Sequence, residues 1–138
     1  QYYPDDVKQV ADIVKRSKGT PVLVSHGPPK GNHPNDLDYA FDAGNVGDAR
    51  INAVMKSASI RFGIFGHILE SGGRILKGIN GKLIEAGKWS KRLWVNAGSV
   101  SSVEQDLHDG ASHQGMAAIV EIDPKKRRGR VTFQFRRP

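Results

Sequence analysis

Pro21-Val22-Leu23-Val24-Ser25-His26-Gly27-Pro28-Pro29-Lys30-Gly31 is the stretch on which the fold turns. Its first part is a short, continuous apolar run with β-branched side chains, the pattern of a strand buried on both faces. The run then breaks at His26-Gly27-Pro28-Pro29, which can continue neither strand nor helix. The same order returns at Ile60 to Phe65, an apolar run that stops at Gly66-His67. A loop at the exit of a buried strand is a common place for chemistry.

Working outward, Pro4-Asp5-Asp6 reads as a helix start, with acids at the positive end of the dipole. Val7, Val10, Ala11 and Val14 recur at helical spacing to about Lys18, where Gly19 stops the helix. Between the two apolar runs, residues 31–47 are polar and read as an excursion over the surface. Asp48 caps a second helix whose apolar face is Ile51, Val54, Met55 and Ala58. Two strands separated by a helix tend to lie parallel and close. His26 and His67 are therefore expected at the same edge of one sheet.

Downstream, Asn80-Gly81 is a hairpin-type turn between Ile75–Ile79 and Lys82–Ile84. Leu93 to Asn96 is a further strand, ended by Ala97-Gly98-Ser99. Ala117 to Ile122 and Arg130 to Phe135 form a hairpin around a basic turn, with Val131, Phe133 and Phe135 alternating onto one buried face. No repeat, low-complexity tract or linker divides the chain, so residues 1–138 read as one unit.

Composition narrows the chemistry. There is no Cys, so disulfides and thiolate metal sites are excluded. The hydrophobic fraction of 38% and the 16 glycines favour a loop-rich α/β or β-rich body over a helical bundle. No apolar run is long enough to span a bilayer and no signal-peptide pattern opens the chain, so a cytoplasmic location is the default expectation. The net charge of +7 is local: Lys125, Lys126, Arg127, Arg128, Arg130, Arg136 and Arg137 account for all of it. Such a cluster can attract phosphate-rich partners, nucleic acid among them, through residues 125–137, but a solvated turn is the preferred reading because no aromatic platform accompanies it. There is no nucleophile elbow, P-loop or dinucleotide glycine fingerprint.

Two strand-exit histidines flanked by glycines point to an incomplete His metal site, since ligands must converge where the backbone bends. Imidazole with oxygen donors suits Zn, Mn, Fe or Ni. His33 lies in the polar excursion, and His108 and His113 flank Asp109-Gly110 without ligand spacing.

At these residues a resemblance enters. Val22-Leu23-Val24-Ser25-His26-Gly27-Pro28-Pro29 resembles the strand-plus-His motif of calcineurin-like metallophosphoesterases. Phe65-Gly66-His67-Ile68-Leu69-Glu70 resembles their Gly-His-x-His motif, and Asn96-Ala97-Gly98-Ser99 their Asn-Pro-Gly-Ser segment; the order and intervals match too. The resemblance covers nearly the whole chain and implies the C-terminal half of a two-sheet α/β sandwich, with strand-exit His loops and a C-terminal β-hairpin. It implies that His26 and His67 are metal ligands of a phosphatase-type hydrolase that acts on phosphate mono- or diesters.

The chain also departs from the family. The resemblance implies a site of two divalent metals with His26 and His67 on the second; Leu69 stands where a ligand of the first belongs, and it reads instead as a core residue beside Ile68. Ala97 replaces a proline. The family's earlier Asp-x-His, bridging Asp and Asn-His motifs have no counterpart in the twenty-five residues before His26. The chain opens on Gln1 rather than Met, and the missing half is expected upstream or on a partner chain, which would also cover Val22, Val24, Phe62 and Ile64. Residues 1–138 alone are therefore expected to be catalytically incompetent. The alternative is a non-catalytic structural or binding subunit with a basic C-terminal contact surface.

Overall fold

The computed structural model describes residues 4–79 and 81–136. Helix α1, Pro4–Arg16, carries Asp5 and Asp6 in its first turn and Lys15 and Arg16 in its last, charges that complement its dipole. It ends two residues before the expected stop. Strand β1 is Val22–Val24. The following segment is tied by a small ribbon, β2 Tyr39–Ala40 paired antiparallel with β3 Gly44–Asn45. Helix α2, Ala49–Ser57, is capped by the Asp48 side chain, which accepts from Arg50 N–H, and it buries Ile51, Val54 and Met55 as its spacing requires.

β4 Phe62–Phe65, β5 Ile75–Leu76 and β6 Leu93–Asn96 complete a four-stranded sheet in the order β1-β4-β6-β5. β1, β4 and β6 run parallel, and β5 is antiparallel to β6. β7 Gln105–Asp106, β8 Ser112–Asp123 and β9 Arg128–Arg136 form a second, antiparallel sheet. The chain is thus mixed α/β. The expected partner of β5 beyond Asn80 is reduced to the Leu76–Leu83 bridge and the bonds Lys77 N–H to Lys82 O and Ile84 N–H to Ile75 O. Asn80 itself, half of the expected turn, lies outside the described residues, as does Arg137.

Period-2 alternation divides the core in two. Phe65, Leu76 and Trp94 face the helices, joining Ile51, Val54 and Met55. Phe62, Ile75, Leu93 and Val95 face the second sheet and meet Val131. Gly63 is required in β4 because a Cβ there would lie 2.5 Å from the Phe65 ring. The second sheet is anchored by reciprocal backbone bonds between Ser90 and Gly129, at 2.7 and 2.8 Å.

Several expectations change. β1 is not buried: it is the sheet edge, with Val22 37% and Val24 71% exposed. Register pairs Val22 with Phe62 and Val24 with Ile64, so both valines share the face of the second core. The β8–β9 hairpin covers Phe62 and, in part, Ile64 from within this chain but leaves the valines open. Nor is the 31–47 segment a free surface excursion. Asp36, Leu37 and Asp38 are buried, and the Asp38 carboxylate accepts from Gly31 N–H, Gly47 N–H and Asn45 Nδ2 at 2.8–2.9 Å. The alternation in β9 also fades, from Val131 at 0% to Phe135 at 41% exposed.

Candidate metal centre

Parallel pairing brings the carboxyl ends of β1, β4 and β6 to one edge. The ladder runs past the strands through Ser25 N–H to Ile64 O, Gly66 N–H to His26 O and Ala97 N–H to Phe65 O, at 2.9–3.1 Å. His26 and His67 thus leave adjoining strands side by side. His67 Nδ1 lies 2.9 Å from His26 Nε2, and the rings meet edge to face with centroids 4.7 Å apart.

His67 is strained. Its φ is 69°, and Ile68 N–H bonds back to Gly66 O at 2.8 Å, closing a γ-turn of the rare positive-φ kind. For a non-glycine residue the left-handed region costs about 1–2 kcal/mol. Asn96, 1% exposed, braces the turn: its Nδ2 donates to Ile68 O at 2.7 Å, and its Oδ1 accepts from Gly98 N–H at 2.9 Å. Asn96 and Gly98 belong to the third motif quoted above, and here they act on the second.

The two imidazoles line an open groove of about 470 Å³ with Gly27, Pro28, Asp48 and Arg50. Bonds of about 2.0–2.1 Å from one cation would span the 2.9 Å between the nitrogens at roughly a right angle, so the pair fits two neighbouring positions on one metal. A third ligand is not supplied: no cluster of three or more His, Asp or Glu suited to a metal occurs among the described residues. Asp48 is the carboxylate lining this groove, and its oxygens accept from Arg50 N–H, Nε and Nη2 at 2.8–3.0 Å. Sequence reasoning took Asp48 as a cap and passed over Arg50. The signal was Arg50's place two residues after that cap, on a helix that starts beside the His26 loop.

Leu69 does not pack into the core. It opens a 3₁₀ turn, Leu69–Ser71, and is 41% exposed, whereas Ile68 beside it is buried. The other histidines lie outside the groove. His33 Nδ1 accepts from Asn35 N–H within its own loop. His108 Nε2 donates to Tyr39 O at 2.7 Å and packs on Phe41. His113 lies in β8 rather than in a loop, stacked on Phe135. At the basic hairpin, the Arg128 and Arg130 guanidiniums lie over the Trp89 ring, 4.6 and 4.9 Å from its centroid, so an aromatic does accompany the cluster. Both arginines also pair with acids, Arg128 with Asp123 and Arg130 with Glu121. No helix among the described residues is long and apolar enough to cross a membrane. Comparison with family models, curated proteins and solved structures finds no match to this chain.

Proposed function

We propose that this chain is part of a metal-dependent phosphoesterase of the calcineurin-like metallophosphoesterase class, acting on phosphate mono- or diesters. The observation that carries this reading is the 2.9 Å approach of His26 and His67 at the carboxyl ends of adjoining parallel strands, one of them in a strained turn. His26 and His67 would hold one divalent cation, Mn, Zn, Fe or Ni. That ion, when bound, supplies charge opposite a phosphoryl oxygen and acidifies a water.

The protein's own contribution is positional. At 2.9 Å one imidazole N–H donates to the other ring's lone pair, so offering both lone pairs to a cation requires that proton to move to an outer nitrogen. Asn96 fixes the Ile68 carbonyl and with it the turn that carries His67. The outer edge of β1, with Val22 and Val24 bare, is where a strand of the missing half would pair and bring further ligands to the groove.

Residues 1–138 alone should bind metal weakly and show no phosphatase turnover. An aryl phosphate and a diester, assayed with Mn, Zn, Ni and Mg before and after addition of the upstream half, test this. Activity that appears only with the added half and is lost in His26→Ala supports the reading; activity indifferent to that substitution overturns it. Leu69, exposed where a ligand of the first metal is expected, favours the second reading, a non-catalytic subunit whose contact surface is the basic segment 125–137.

A further inference from the structure

Among the described residues, three that are not glycine hold a positive φ: Ser59 at 53°, His67 at 69° and Arg127 at 50°. His67 belongs to the metal groove. Ser59 and Arg127 both line one concavity of about 360 Å³ at the opposite, amino-terminal edge of the parallel sheet. In each the turn explains the angle but not the side chain. Ser59 closes α2, its N–H donating to Lys56 O at 3.2 Å while Ile60 N–H donates to Met55 O at 2.9 Å, a place where glycine is usual. Arg127 ends the β8–β9 turn, where glycine would again sit without strain. Strained residues of this kind gather at ligand clamps and active sites.

Charge defines what would fit. Lys18, Arg61 and Arg127 line the concavity with the hydroxyl residues Thr20 and Ser59. They come from distant segments because parallel pairing gathers the strand starts: Lys18 precedes β1 and Arg61 precedes β4. An adjoining concavity shares Ser59 and Arg61 and adds Lys56 and Arg92 to the same field. No acidic residue lines either one. Asp123, in the turn that carries Arg127, is engaged by Arg128. Lys18, Arg61 and Arg127 themselves have no side-chain hydrogen bond or ion pair among the described residues.

We propose that this concavity is a binding site for a compact oligophosphate of the pyrophosphate type, held by Lys18, Arg61 and Arg127. Guanidinium and ammonium groups are the usual partners of phosphate oxygens, arginine by its planar fork and lysine as a point charge. One phosphate carries a charge of about −1.5 to −2 at neutral pH, so three cations are balanced by two linked phosphates rather than by one. A nucleic-acid strand suits the site less well. Its bases need exposed aromatics to stack on, whereas Phe62, the aromatic of this lining, is 1% exposed.

Calorimetric titration of the chain with pyrophosphate, orthophosphate and a single-stranded oligonucleotide tests the site, in EDTA to keep metal out of the histidine groove. Salt at about 0.15 M screens charges more than about 8 Å apart and so suppresses diffuse attraction. Pyrophosphate should bind one to one, and orthophosphate about tenfold more weakly. Arg127→Gly should weaken pyrophosphate by about tenfold or more, the scale of one charge-assisted bond, with the thermal midpoint unchanged or raised because glycine takes the turn without strain. Arg61→Gln should repeat the loss without touching that turn. Lys8→Ala, an exposed charge on α1 outside the concavity, and His26→Ala should each change affinity by less than about twofold. The proposal is overturned if pyrophosphate does not bind, or if orthophosphate matches it. It is equally overturned if either arginine variant keeps full affinity, if Lys8→Ala costs as much as they do, or if the oligonucleotide binds more tightly than pyrophosphate.

Discussion

Replacing His67 by alanine and, separately, by glycine tests whether the turn stores strain for the sake of its imidazole. Both changes remove the contact with His26, an exposed hydrogen bond contributing roughly 0.5–1 kcal/mol. They differ in backbone alone. Alanine keeps the left-handed penalty of about 1–2 kcal/mol at φ 69°. Glycine escapes it but loses about 0.5–1 kcal/mol more conformational freedom on folding. The balance favours glycine by about 0.5–1 kcal/mol, the reverse of the order found in helix or strand interiors. For a chain of 138 residues this is a melting-temperature difference of about 2–4 °C, readable by circular dichroism. Both variants should lose Zn and Mn binding to the same extent, because neither has the ring. An alanine variant as stable as the glycine variant, or more so, would refute the strained turn; metal binding retained by either would refute the ligand role.

Asp38→Ala removes a buried acceptor from two backbone N–H groups and Asn45, and should cost about 3–5 kcal/mol in urea unfolding; a loss under 1 kcal/mol would show that the loop is not held there. Leu69→His, at a half-exposed position where little packing is lost, should raise the phosphoesterase activity of the assembled halves by restoring the absent ligand of the first metal. Turnover left unchanged would place residue 69 out of reach of that metal. Arg130 donates to both oxygens of Glu121, and this hydrogen bonding holds the Glu121 carboxyl below its ordinary range. The stability it contributes is present at neutral pH and is lost as pH falls through that lowered value. NMR titration should find the Glu121 midpoint raised in Arg130→Gln, and an identical midpoint in both proteins would count against the pair.

The parts of this molecule that repeat with a period were open to reading from the chain. Val10 and Val14 on α1, Ile51, Val54 and Met55 on α2, and the apolar runs ending at His26 and His67 each follow from side-chain geometry at 3.6- or 2-residue spacing. The approach of His26 to His67 followed from one further rule, that a helix between two strands makes them parallel neighbours. What escaped lacks a period. An apolar run such as Val22–Val24 says that both faces suit a core, not that a neighbour is present to cover them. Asp36 and Asp38 look like surface residues because burial of a carboxylate depends on which backbone N–H groups the loop folds around it. The basic edge escaped for a different reason: Lys18, Arg61, Arg92 and Arg127 are far apart in sequence and meet only after the sheet has ordered its strands.

That the second core is closed by the C-terminal hairpin has a consequence during biosynthesis. β1, β4, β5 and β6 are all complete by Asn96, yet the face formed by Phe62, Ile75, Leu93 and Val95 has only partial cover, from Ile84, until β8 and Val131 of β9 have been made. At synthesis rates of about 5–20 residues per second, that interval lasts roughly 2–7 s. During it the nascent sheet presents a greasy plane beside an unpaired edge strand, the surface most prone to stick to other chains. Fragments that terminate between Asn96 and Gly129 would carry the plane permanently, and they should be cleared or aggregate while the chain that includes the hairpin accumulates.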